Sequence, residues 1–140
     1  MPWVSDPAVG EELPVVERTI DAEQIARYAE ASGDRNPIHL DAEFASTSQF
    51  GGIVAHGMLT LAFVSESLCL AFGKDWLESG KLKVRLKAPA YPGDVVRSWG
   101  RVVKEDASGS GGGRTLECAV GLSNGKGEEL ITGVATVTLP

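Results

Sequence analysis

The order of apolar and polar positions divides the chain into a helical first half and a strand-rich second half. Val15–Ile20 reads as a short strand. Asp21 stands where its carboxylate can cap the free N–H groups of a helix, with Gln24 at the capping-box position and Ile20 and Ile25 at hydrophobic-staple positions. Ile25, Tyr28, Ala29 and Ser32 recur at helical spacing, and Gly33 supplies a left-handed stop. Pro, Gly, Ser and Asp dominate from Asp34 to Val54, where the pattern predicts one short helix over Asp41–Ser46. A longer helix runs from near Gly57 to about Phe72. It is apolar nearly all round, which predicts that the rest of the domain encloses it.

Three strand-like segments follow, Lys81–Lys87, Asp94–Glu105 and Thr115–Ser123. Asn124-Gly125 is a tight-turn signal, and Leu130–Leu139 is a last strand. Strands gathered after the helices favour an α+β fold, because parallel α/β sheets alternate the two. The expected architecture is one curved antiparallel sheet wrapped round one apolar helix.

A chain of 140 residues fits a single domain, 1–140, and 43% hydrophobic with 23% charged residues is ordinary for a soluble globular protein. The net charge of −6 argues against general nucleic-acid binding, which needs a basic footprint. Cys69 and Cys118 are too few and too far apart for a disulfide framework or a zinc spacing, and no metal-ligand cluster stands out. The N-terminus, MPWVSDPAVGEEL, lacks the basic start and apolar core of a signal peptide. The apolar stretch Met58–Phe72 is broken by Ser65, Glu66 and Ser67 and is shorter than the roughly 20 residues of a membrane span. A cytoplasmic protein with no nucleic-acid or membrane partner is expected. Ser108–Gly113, SGSGGG, reads as a flexible hairpin loop.

Charge is unevenly spread. Residues 74–104 hold eight basic and three acidic groups, a local +5 against −11 elsewhere. Lys81, Lys83, Arg85 and Lys87 alternate with Leu82, Val84 and Leu86, so at strand period the cations share one face. That face fits two readings, a solvated sheet surface or a row that meets phosphates or an acidic carrier.

The segment Asp34–His39 carries the candidate chemistry. Pro37 disfavours helix at Asn36, so the stretch is expected to be extended or turning. A carboxylate and an imidazole within reach of one water can orient it and move its proton, and Asn36 can hold the turn. The residues alone favour ordinary turn positions for Asp34 and Asn36, with His39 a satisfied surface histidine, and permit a site without demanding one.

The stretch Tyr28-Ala29-Glu30-Ala31-Ser32-Gly33-Asp34-Arg35-Asn36-Pro37-Ile38-His39-Leu40-Asp41 resembles the hydratase motif of the MaoC-like family, which includes (R)-specific enoyl-CoA hydratases and hydroxyacyl thioester dehydratases. Ala55-His56-Gly57-Met58-Leu59 is similar to that family's second signature, at the start of a central helix. The resemblance implies a hotdog fold and reversible hydration of trans-2-enoyl thioesters of CoA or acyl carrier protein to (3R)-hydroxyacyl thioesters, with no cofactor and no metal. It implies that Asp34 and His39 hold the water, that the Gly57 N–H meets the thioester carbonyl, and that Ser65 lies near the site, where a helical serine bonded to its own backbone is an equal reading. Asn36, His56, Lys83 and Arg85 are the expected substrate-side residues, His56 by ordering the loop before the helix. Arg35 occupies the motif's variable position. Phe44, Phe50, Leu61 and Phe63 are expected to line the acyl tunnel. Hotdog proteins usually pair, so a homodimer with the pocket near its interface is expected. The alternatives are a hotdog thioesterase, and a non-catalytic subunit of a heterodimeric dehydratase.

Overall fold

A computed structural model describes residues 7–108 and 110–140; the N-terminal residues 1–6, on which part of the signal-peptide reading rests, and Gly109 of the glycine-rich loop lie outside the described residues. The elements run β1 (Glu17–Thr19), α1 (Ala22–Ser32), α2 (Pro37–Leu40), α3 (Ala42–Ser46), α4 (Gly57–Phe72), α5 (Lys74–Ser79), β2 (Lys81–Leu86), β3 (Val95–Asp106), β4 (Arg114–Asn124) and β5 (Glu129–Leu139). The five strands form one antiparallel sheet in the order β1-β3-β4-β5-β2.

Helix α1 starts and stops where its sequence dictates. Asp21 Oδ1 accepts from the Gln24 N–H at 2.8 Å, and Ile20 and Ile25 are fully buried on either side of the cap. Gly33 at φ 79° closes the helix by donating its N–H to Ala29 O. The first strand is shorter than expected. Pro14 has no N–H to give, the chain reaches β3 there through Leu13 N to Gly100 O and Ser98 N to Val16 O, and regular pairing covers only Glu17–Thr19.

Alternation along the long strands separates two faces. Leu116, Cys118, Val120 and Leu122 of β4 and Ile131, Ala135 and Val137 of β5 are buried. They meet Phe63, Val64, Leu68 and Phe72 of α4 in one core. Leu82 and Val84 of β2 pack against the same core, which turns Lys81, Lys83 and Arg85 to the outer face.

Two expectations about regular elements need correction. Helix α4 is not enclosed all round: Met58 is 61% exposed and Leu70 is also exposed, so one apolar stripe stays open in the single chain. The β4–β5 connection is not a two-residue turn on Asn124-Gly125. Asn124 Oδ1 accepts from Lys126 N and Glu128 N, and the left-handed residue is Gly127 at φ 80°. The side-chain acceptor of Asn124 favours a longer loop, and a register shift between Leu122 and Ser123 absorbs it. Among the described residues, no helix is long and apolar enough to cross a membrane.

Candidate active site

Between α1 and α4 the chain folds as a series of short caps. Ser32 Oγ accepts from Asp34 N at 3.2 Å, and Asp34 Oδ1 accepts from Asn36 N at 3.2 Å. Asn36 Oδ1 then accepts from Ile38 N at 3.1 Å, which makes Asn36 the N-cap of α2. Pro37 does not hold this segment extended up to His39. It is the first residue of α2, a position where its missing N–H costs nothing and its fixed φ suits the helix. His39 therefore projects from a short helix, not from a loop. Asn36 does cap locally, as its residue type suggested.

His39 is buried, with 8% exposure. Its Nδ1 lies 2.7 Å from the carbonyl oxygen of Val54. A carbonyl only accepts, so Nδ1 carries the proton and Nε2 is left with its lone pair. His56 is buried too, and its Nε2 lies 2.9 Å from the backbone carbonyl of Asp34, so there Nε2 carries the proton. The two imidazoles stack with centroids 3.8 Å apart and planes 22° apart. Tyr28 covers the His56 ring at 4.8 Å.

A carboxylate oxygen of Asp34 and a ring nitrogen of each histidine lie within 4.8 Å of one another. Two hydrogen bonds of about 2.8 Å to one water span that separation. The same atoms form a three-donor group that sequence spacing had not suggested. Two rings stacked at 3.8 Å do not aim their in-plane lone pairs at a common tetrahedral centre about 2.0–2.1 Å from each nitrogen, so the arrangement suits a water better than a metal ion.

Gly57 opens α4, and its N–H and that of Met58 have no acceptor among the described residues; Leu59 N and Thr60 N both turn to His56 O. These free donors sit at the positive end of a 16-residue helix. A cavity of about 270 Å³ joins Gly57 to His39, walled by Phe50, Val54, Leu86 and Pro89. A larger hollow of about 350 Å³ lies on the far side of the sheet beside Arg97, Trp99 and Arg101, but it brings no imidazole to a free helix end.

The remaining expected site residues are not brought here. Ser65 lies two turns along α4, about 12 Å from Gly57 at the helical rise, where its Oγ accepts from the Trp76 indole at 3.4 Å. Lys83 and Arg85 lie on the opposite face of the sheet; the cation at the cavity is Lys87, 3.5 Å from Glu129. Arg35 is exposed and pairs with Glu30 at 2.9 Å. Of the four expected tunnel residues only Phe50 lines the cavity; Phe44 is exposed, Phe63 is buried in the core, and Leu61 packs half-buried against it. Sequence reasoning missed the Val54 carbonyl, the Leu86 wall and the bond from Tyr91 Oη to Phe50 O at 2.9 Å.

The sequence model of the MaoC like domain matches residues 5–119, and the chain belongs to that family. It is 34% identical over 97 residues to 3-hydroxyacyl-thioester dehydratase Z of Mycobacterium tuberculosis, a match covering 66% of this chain and 64% of the relative. It is 37% identical over 76 residues to the (R)-specific enoyl-CoA hydratase of Aeromonas caviae, covering 54% and 56% of the two chains. The chain spans between about half and two thirds of the length of such curated relatives. The solved structure of the (R)-hydratase of A. caviae involved in PHA biosynthesis superposes with a TM-score of 0.80 at 26% identity, over 98% of this chain and all of the other. The fold is the hotdog fold of these (R)-hydratases.

Proposed function

We propose that this chain catalyses the reversible hydration of trans-2-enoyl thioesters to (3R)-3-hydroxyacyl thioesters. The observation that carries the proposal is the His39 ring, which lines a cavity together with Gly57, commits its Nδ1–H to Val54 O, and has a ring nitrogen within 4.8 Å of an Asp34 carboxylate oxygen.

In the hydration direction, a water held between Asp34 and His39 loses a proton to this pair as its oxygen bonds to the β-carbon. The π electrons move toward the thioester carbonyl, and the negative charge on its oxygen is met by the Gly57 N–H. Collapse of that enolate takes a proton back at the α-carbon from the same pair. The apolar walls at Phe50, Val54 and Leu86 suit an acyl chain and exclude competing water. Lys87 at the cavity is the cation best placed for a phosphate of the thioester carrier, CoA or carrier protein.

A second copy of the chain is the natural cover for the open stripe of α4 at Met58 and for the edge of β2 that no strand pairs among the described residues. These two open surfaces support the reading of a homodimer.

The test is direct. Purified chain mixed with crotonyl-CoA is expected to bleach the conjugated-enoyl absorbance without releasing thiol. Thiol release instead supports a thioesterase. No reaction with enoyl-CoA substrates of any length supports a non-catalytic partner subunit.

A further inference from the structure

Resting on the reading of Asp34 and His39 as the pair that handles the water, we infer that His56 is a positioning residue that sets those two groups relative to each other and to the Gly57 amide. Its place is unusual. His56 is the N-cap of α4, at φ −60° and ψ 137°, yet its side chain makes no capping bond. Ser, Thr, Asp or Asn at this position would take up one of the helix's free N–H groups. The imidazole instead turns away from the helix end, which leaves the Met58 amide uncapped, while Gly57, the first residue of the helix, lines the cavity.

What the ring does is join two segments 22 residues apart. The hydrogen bonds of residues 33–36 are otherwise local: Gly33 N to Ala29 O, Asp34 N to Ser32 Oγ, and Asn36 N to Asp34 Oδ1. Among the described residues, the bond from His56 Nε2 to Asp34 O is the one that ties this exposed loop to the helix bearing Gly57. The same ring is stacked on His39 and contacted by the tilted ring of Tyr28. One side chain thus fixes the Asp34 backbone by a hydrogen bond and the His39 ring by a stack.

His56 is only 2% exposed and does not line the cavity, so it acts through its neighbours and not on substrate. Its Nδ1 is buried without a hydrogen-bond partner, a cost that the ring carries while serving its other contacts.

Two of these contacts can be separated by substitution. His56→Phe keeps an aromatic face for the stack and loses the donor. His56→Gln loses the face but can present an amide N–H near the place of Nε2. The experiment measures kcat and KM for crotonyl-CoA hydration by the full chain, with folded protein quantified by thermal melting. Displacing reacting groups by about 1 Å can cost about 100-fold. We expect His56→Phe to lower kcat about 10- to 100-fold with KM within about twofold, and His56→Gln to recover most of the loss. Full kcat in folded His56→Phe overturns the inference. So do losses in both variants that merely track the folded fraction. Asp34→Asn and His39→Ala are run alongside: if these retain activity, the reading of the site fails before the role of His56 is at issue.

Discussion

His39 gives its Nδ1 proton to the carbonyl of Val54 at 2.7 Å, and this bond decides which nitrogen is available for chemistry. Val54 is itself anchored, since its N–H reaches back to Ile38 O at 3.2 Å. The acceptor is therefore held by the same short helix it orients. His39→Ala should lower kcat for enoyl-CoA hydration by about 10² to 10⁴, the usual range for a lost general acid–base group. Steady-state rates on crotonyl-CoA measure this, and activity undiminished in the variant removes His39 from the mechanism.

Asp34 offers a complementary change. Asp34→Asn keeps an oxygen to accept from Asn36 N, so the turn and the melting temperature should survive within a few degrees. The negative charge is gone, and turnover should fall at least as far as is typical for an acid–base group, about 10². A variant that melts early and keeps its specific activity would show that Asp34 serves the fold alone.

The Gly57 amide can be deleted with little disturbance of the backbone. Position 57 opens a helix, where proline is tolerated, and His56 at ψ 137° already has the conformation a following proline demands. A Cβ at Gly57 would lie 2.7 Å from Leu86 Cδ1, so the substitution is made with Leu86→Ala. Gly57→Pro/Leu86→Ala should lose about 10²- to 10³-fold in kcat relative to Gly57→Ala/Leu86→Ala, which retains the N–H. Equal rates in the two double variants would mean that the amide does not meet the developing charge.

The basic row supplies a test of carrier recognition. Lys87 lines the cavity, whereas Lys83 and Arg85 lie on the other face of the sheet. Lys87→Ser should raise KM for crotonyl-CoA several-fold at low salt, and Lys83→Ser/Arg85→Ser should leave it within about twofold. A larger KM change in the double variant than in Lys87→Ser reverses that assignment.

Cys118 gives a prediction about pH. Burial, reinforced by the charge of Glu117, pushes its thiol from 9.0 up to about 11. Folding therefore favours the protonated thiol, so its contribution to stability is intact below about pH 9 and is lost as pH rises toward 11. At pH 8 a thiol reagent should label half-buried Cys69 and reach Cys118 only after denaturation. Prompt modification of both in the folded chain contradicts this.

Much of this fold was legible along the chain because the signals were local. Asp21 and Gly33 bound α1 through groups within four residues of them, and two-residue alternation marked β2 to β5 to within a residue or two. Pro37 misled because proline restricts the residue before it yet favours the first turn of a helix, and only the Asn36 cap shows which effect governs.

The sequence by itself determined the element order, the helix ends, and that one carboxylate and one imidazole lie five residues apart. Tertiary structure decided what those groups can do. The Val54 carbonyl that selects the His39 tautomer and the Leu86 wall opposite Gly57 lie 15 and 29 residues from their partners, and the His56 donor lies 22 residues from Asp34. Backbone carbonyls and packing contacts at such separations leave no mark in composition or periodicity. They exist only once α4 is laid against the sheet, and with them comes the difference between a capped turn and a candidate active site.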